Sequence, residues 1–270
     1  MKKAFVIDLS ICNGCYCCQI ACKDEHVANN WMPYAMPQPD TGQFWIGMEE
    51  TVRGTVPKVE VSYRPKMCAH CEDAPCMEEC KADAIYKRED GLVVIDPAKC
   101  TGCSLCADAC PYDAIYFNES LNIAQKCTGC AHLLDDGWDV PRCVDQCPTE
   151  AIKFADESEL SDLIAKADPR SYKNGLKTNV HYLNIPKKFV AGTLYDPIGK
   201  EVVIGAKCTL TDTGSGKAVT VETNNFGDFW FRGLEDDRTY SLELEKDGKS
   251  VAISDISTEK DVNLGDIPLA

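Results

Sequence analysis

Residues 100–111 read C-T-G-C-S-L-C-A-D-A-C-P, and no other stretch limits the fold of this chain so strongly. Three cysteines at three-residue intervals, then a fourth four residues later followed by proline, is the spacing that wraps an iron–sulfur cube. Cys100, Cys103 and Cys106 can curl as one short loop and present three thiolates to one cluster. Cys110 leaves that loop and points the other way, so it ligates the other cluster of a pair. One such run therefore implies a partner run elsewhere in the chain.

The sequence supplies three more. Cys12, Cys15, Cys18 and Cys22 repeat the spacing, with Cys17 out of register and read as a packed thiol. Cys68, Cys71, Cys76 and Cys80 keep the last step but widen the middle gap around Pro75. Cys127, Cys130, Cys143 and Cys147 place twelve residues between the second and third ligand. Alone, that block suits zinc as well as iron; beside the other three, iron–sulfur is the better reading. His70 and His132 lie next to cysteines in blocks already complete, so they are read as packing or hydrogen-bonding neighbours.

Sixteen cysteines thus divide into four sets, predicting four 4Fe–4S clusters. Nesting the blocks, first with fourth and second with third, gives the pairing. Cys12, Cys15 and Cys18 would share a cluster with Cys147, and Cys22 would join Cys127, Cys130 and Cys143. Cys68, Cys71 and Cys76 would share with Cys110, and Cys80 would join Cys100, Cys103 and Cys106.

Around the blocks the pattern is a cysteine loop, a short helix carrying the fourth cysteine, then a strand, with Asp90-Gly91 as a hairpin turn. This internal repeat predicts duplicated ferredoxin-like modules, of the two-cluster bacterial type, over residues 1–155. Residues 23–65 form an insertion holding Trp31, Phe44, Trp45 and Arg53-Gly54. It is expected to be ordered, burying surface either against another subunit or over its own cluster. Residues 156–187 read as a short helix, Asp156 to Ala167, and then a polar, extended connector from 170 to 187. From 188 to 270 about seven short strands separated by Gly, Asp and Asn turns predict an all-β sandwich, with Cys208 facing its core. The fold class is therefore α+β.

Eighteen cysteines in 270 residues could mark a secreted disulfide scaffold, but such chains are usually short and their cysteines are not blocked this way. A net charge of −15 disfavours nucleic acid and anionic lipid. The first block begins almost at the N-terminus, which leaves no room for an export signal, and no apolar run could span a bilayer. The expectation is a cytoplasmic protein, the alternative being export alongside a signal-bearing partner. No acid pair, nucleophile motif or phosphate loop is present. Cubes exchange electrons one at a time, so the chain reads as a relay serving chemistry on another chain, and its acidity favours a basic patch on that partner.

The segments Y-R-P-K-M-C-A-H-C-E-D-A-P-C, I-D-P-A-K-C-T-G-C and A-Q-K-C-T-G-C-A-H carry a resemblance. Over about residues 1–155 the chain resembles the four-cluster iron–sulfur subunits of molybdopterin oxidoreductases of the dimethyl sulfoxide reductase family. With the insertion and the sandwich (T-N-N-F-G-D-F-W-F, D-V-N-L-G-D-I) it is similar to the transhydroxylase small subunits of that family. The resemblance implies a large catalytic subunit with a molybdenum or tungsten bis-pterin cofactor, paired with this chain as a heterodimer or its multimer, on which a phenolic substrate would react. It also implies that the sandwich, similar to carboxypeptidase-regulatory-like, Cna-B or prealbumin-like modules, is an attachment domain. Transhydroxylation involves no net redox change, whereas all four blocks here are complete. That favours exchange with an external electron carrier, as in a reductive dehydroxylase or another reductase. The alternatives are a free-standing polyferredoxin and, more remotely, a zinc-binding adaptor.

Overall fold

The structure is a computed structural model that describes residues 1–173 and 175–269. The chain divides into two compact units. Residues 1–50 with 62–185 make the first, and residues 51–61 with 186–270 make the second.

The first unit opens with β1 (Lys3–Asp8) and α1 (Cys17–His26), followed by a long hairpin of β2 (Ile46–Thr55) and β3 (Lys58–Met67). Short elements follow: α2 (Pro75–Glu78), β4 (Ile85–Lys87), β5 (Val93–Ile95), α3 (Leu105–Asp108), β6 (Ile115–Asn118) and β7 (Ile123–Lys126). Next come α4 (Ala131–Asp135), α5 (Arg142–Asp145), β8 (Ile152–Asp156), α6 (Ser161–Ile164) and β9 (Val180–Leu183). β4 pairs with β5 and β6 with β7 as two-stranded ribbons, the first turning at Asp90-Gly91.

β1 is the centre of a three-stranded sheet, antiparallel to β8 and parallel to β9. Its alternation serves two cores. Phe5 and Ile7 pack into the cluster that contains most of the cysteines, while Ala4 and Val6 meet Leu160 and Leu183. Phe5 lies 4.6 Å from the Phe154 ring. Burying a side chain of this size contributes about 1.5–3 kcal/mol, so a few aromatics must support a unit otherwise made of turns.

Two expectations for 156–187 are corrected. The predicted helix from Asp156 to Ala167 shrinks to Ser161–Ile164. Asp156 is still in the sheet, paired with Lys3 in register and by an ion pair of 2.9 Å. Its backbone N–H donates to Glu159 Oε2 at 3.2 Å, so the expected capping pair closes a turn before the helix begins. The connector is not merely extended. Val180, His181, Tyr182 and Leu183 form a fully buried strand, because β1 has a second edge whose N–H and C=O groups need partners.

In the second unit β10 (Lys188–Asp196), β11 (Glu201–Val202), β14 (Asp228–Leu234) and β17 (Val262–Pro268) form one sheet. β12 (Lys207–Asp212), β13 (Ala218–Glu222), β15 (Thr239–Lys246) and β16 (Lys249–Ser257) form the other. The run V-V-I-G-A-K-C-T-L is two strands rather than one, broken at Gly205 with φ +66°. Phe229, Phe231, Leu210, Leu242 and Cys208 fill the core.

The tip of the β2–β3 hairpin belongs to this unit, although the sequence places it inside the insertion. Arg53 Nη1 donates to Lys187 O at 2.8 Å and pairs with Asp261 at 3.0 Å, and Glu60 binds both Arg53 and Arg232. Gly54 has φ +86°, and a Cβ there would sit 2.3 Å from Lys58 O and 2.6 Å from the Phe189 ring. Glycine is required on both counts.

Candidate metal centres

The backbone repeats itself at each cysteine block. The residue before the second cysteine has a left-handed conformation in all four: Gly14 (φ 68°), His70 (φ 44°), Gly102 (φ 74°) and Gly129 (φ 64°). That twist turns successive N–H groups inward. His70 donates its backbone N–H to Cys68 Sγ at 3.5 Å and Gly129 to Cys127 Sγ at 3.3 Å, while Gly14 does the same for Cys12. Three residues after the fourth cysteine of the second, third and fourth blocks, Asp83 (φ 50°), Asp113 (φ 48°) and Glu150 (φ 54°) are left-handed again. Each hands its N–H back to the cysteine carbonyl at 3.2 Å, and a strand starts two residues later. The first block departs from this, since Cys22 lies within the longer α1 and the chain runs on into the insertion.

The thiols gather in four places. Cys68, Cys71, Cys76 and Cys110 line one small pocket, walled by Ala69, Val93, Pro111 and Ile115. Cys22, Cys127, Cys130 and Cys143 line another, closed by His26, Trp45 and Pro141. Cys12, Cys15 and Cys147 are near enough that their charge acts on Cys18, and Cys80, Cys100 and Cys103 act likewise on Cys106. All eighteen cysteines are free thiols. Each of the two pockets is lined by four cysteines, the donor set of a 4Fe–4S cluster.

Electrostatics divides the sets by exposure. Burial pushes the thiols of Cys71, Cys76 and Cys130 up to about 12 and Cys127 up to about 11. Desolvation penalises the thiolate, so positive charge must arrive with the metal for these sulfurs to ionise. Cys15 and Cys103 are exposed. Burial also opposes the Cys147 thiolate. There it is outweighed by N–H donors from Ile152, Thr149 and Ala151 and the Thr149 hydroxyl, and the pKa falls.

The neighbours expected to pack do so in specific ways. His70 is fully buried, stacked against Phe5, and its Nδ1 accepts the Val93 N–H at 3.0 Å. His132 Nε2 lies 3.0 Å from Glu25 Oε1 and its ring stacks on Trp31 at 4.3 Å. Trp45, 2 % exposed, lies 4.6 Å from His26, whose pKa burial lowers to about 3, leaving it neutral. Trp45 of the insertion therefore covers its own chain's thiols, while Phe44 remains on the surface. Cys17 departs from the packed-thiol expectation in being only half-buried. Sequence reasoning missed Lys126. Its ammonium is buried, and although burial opposes its charge, negative charge on the Cys68, Cys76 and Cys127 sulfurs favours it and its pKa is raised. The signal was a lysine directly preceding a ligand cysteine in a β-prone run.

Comparison with known proteins agrees with this geometry. The family described as the 4Fe-4S dicluster domain matches residues 59–157, and the carboxypeptidase regulatory-like domain matches residues 190–269. The small subunit of pyrogallol hydroxytransferase from Pelobacter acidigallici is 38% identical over 276 residues, covering 98% of each chain. The protein belongs to that family, among the iron–sulfur subunits of the dimethyl sulfoxide reductase type. It also matches a component of the anaerobic dimethyl sulfoxide reductase of Escherichia coli, 37% identical over 62% of this chain and 82% of that one. A subunit of the tetrathionate reductase of Salmonella typhimurium is 33% identical over 70% and 75%. These two matches stop short of full coverage, whereas the Pelobacter match includes the sandwich. No helix among the described residues is long and apolar enough to cross a membrane.

Proposed function

We propose that this subunit relays electrons through four 4Fe–4S clusters to or from a catalytic partner. The ligand sets are Cys12, Cys15, Cys18 and Cys147; Cys22, Cys127, Cys130 and Cys143; Cys68, Cys71, Cys76 and Cys110; and Cys80, Cys100, Cys103 and Cys106. The two four-thiol cavities carry the reading, since each is lined by the cysteines that the nested pairing assigns to it. Residues 1–155 would then be two ferredoxin-like modules and residues 188–270 an attachment domain, joined by 156–187.

When bound, each cluster supplies one-electron transfer without bond rearrangement. The chain's own residues wrap the sulfurs with N–H donors, exclude water through Trp45, Ile115 and Val93, and leave the first and third blocks partly open to solvent. The partner would be a large subunit with a molybdenum or tungsten bis-pterin, in a cytoplasmic heterodimer or one exported on the partner's signal. Its reaction would be of the transhydroxylase, dehydroxylase or reductase kind on a phenol or another small substrate. The four complete blocks favour exchange with an external carrier. Anaerobic iron and sulfide analysis with EPR on the reduced protein tests the relay. About sixteen irons per chain are expected from four cubes, and one cube or none would end the reading. Purification of the native chain as a lone monomer would end the partner assignment.

A further inference from the structure

We infer that Lys126 is a positioned cation shared by two of the cluster sites, holding both at a higher reduction potential than their burial alone would allow. The inference rests on the ligand sets proposed above.

Lys126 ends β7 and is 2 % exposed. Its ammonium has three donors and no acceptor, and two of them go to main-chain carbonyls, Val93 O and Cys127 O at 3.1 Å. No Asp or Glu forms an ion pair with it among the described residues. Burying a cation without a counter-charge is strongly unfavourable, so something anionic must answer it. The sulfurs at hand come from two sets: Val93, whose carbonyl Lys126 binds, lines the pocket of Cys68, Cys71, Cys76 and Cys110, and the other carbonyl is that of Cys127 itself. A cube held by four thiolates is a net anion and is therefore the natural counter-ion.

Two other basic groups act on the set of Cys22, Cys127, Cys130 and Cys143, but Arg142 is tied to Glu25 at 3.4 Å and Asp145 at 2.6 Å, which cancel most of its field, and Lys23 is half-buried, donating to Pro39 O and Gly42 O. Val93 fixes the geometry. Its carbonyl accepts from Lys126 and its N–H donates to His70 Nδ1, so this one residue is clamped from both sides. Reducing a cluster adds one electron and breaks no bond. A fixed cation beside it favours the reduced form, and in a water-poor interior that effect is weakly screened.

The test uses the loaded full chain with its partner. Potentiometric EPR is run on wild type and on Lys126→Gln, Lys126→Met and Lys126→Arg. Gln removes the charge but can still donate to the two carbonyls. In the Gln and Met variants, two clusters should fall roughly tenfold in reduced-to-oxidised ratio at fixed potential, about 59 mV for one electron. The other two should not move, and the Arg variant should stay near wild type. Unmoved potentials in a fully loaded Gln variant would overturn the inference, as would an equal shift of all four clusters. Loss of clusters from both uncharged variants would also overturn it, because Lys126 would then be building the sites rather than setting their potential. A wild-type protein without cubes would instead defeat the relay reading itself.

Discussion

The two units of this chain are held together by different means. The sandwich is a continuous apolar core in which Phe229, Phe231, Leu242 and Cys208 come from facing sheets of long strands. The cysteine-bearing unit has strands of three to six residues apart from its hairpin, and helices of four or five apart from α1. Its largest buried cluster counts thiols among its members. A sandwich is specified by alternation spread over many residues. The cysteine unit is specified by a few sulfurs and left-handed turns, so its stability is lent by what the sulfurs bind.

The broadest way to break this contrast is to strip the iron anaerobically with a chelator. Hydrogen exchange should then show protection lost across residues 62–155 while β12 and β15 stay protected. Equal protection in both units would remove the distinction. Next in size, Cys71→Ser should lower the iron content by about one cube's worth, four irons, and erase one EPR signal. Cys208→Ser sharpens the comparison, because it should leave the iron unchanged and cost the sandwich about 1–3 kcal/mol for a buried hydroxyl.

Phe229→Ala should destabilise the sandwich by about 3–5 kcal/mol, read as an earlier melting of that unit with its neighbour's visible absorbance intact. Gly54→Ala should cost about 1–3 kcal/mol, through both the left-handed backbone and the Lys58 carbonyl in the way. The smallest effect is at the surface. Hydrogen bonds from Lys2 and Lys87 hold Glu72 down at about 2, from an ordinary 4.5. The depressed carboxyl contributes stability above about pH 4.5 that is lost as pH falls towards 2. With a side chain 40% exposed, it is worth under about 1 kcal/mol, so Glu72→Gln at neutral pH should barely move the melting point.

Cysteine spacing makes the ligand candidates legible, because a cube tolerates few loop lengths, and the sandwich strands are legible because alternation and turn residues coincide. The misses share a cause, which is that local sequence does not say what a segment packs against. Val180–Leu183 looks like connector because its β-prone core is flanked by polar residues, and only the free edge of β1 makes it a strand. Asp156 carries a genuine capping pattern that the sheet overrides. His70 occupies a turn position where the other three blocks have glycine, so its conformation can be inferred only by aligning the blocks. Lys126 looks like any other strand-end charge until its burial and its two carbonyl acceptors are in view.

The hairpin tip has a consequence for the order in which the chain is made. Thr51–Val61 leaves the ribosome more than a hundred residues before the strands it must cover. Until then Arg53 has no Asp261 to meet and Gly54 has no Phe189 ring to lie against. Anyone excising residues 186–270 as an independent module would therefore remove part of its own wall, and a graft intended to work elsewhere must carry those eleven earlier residues with it.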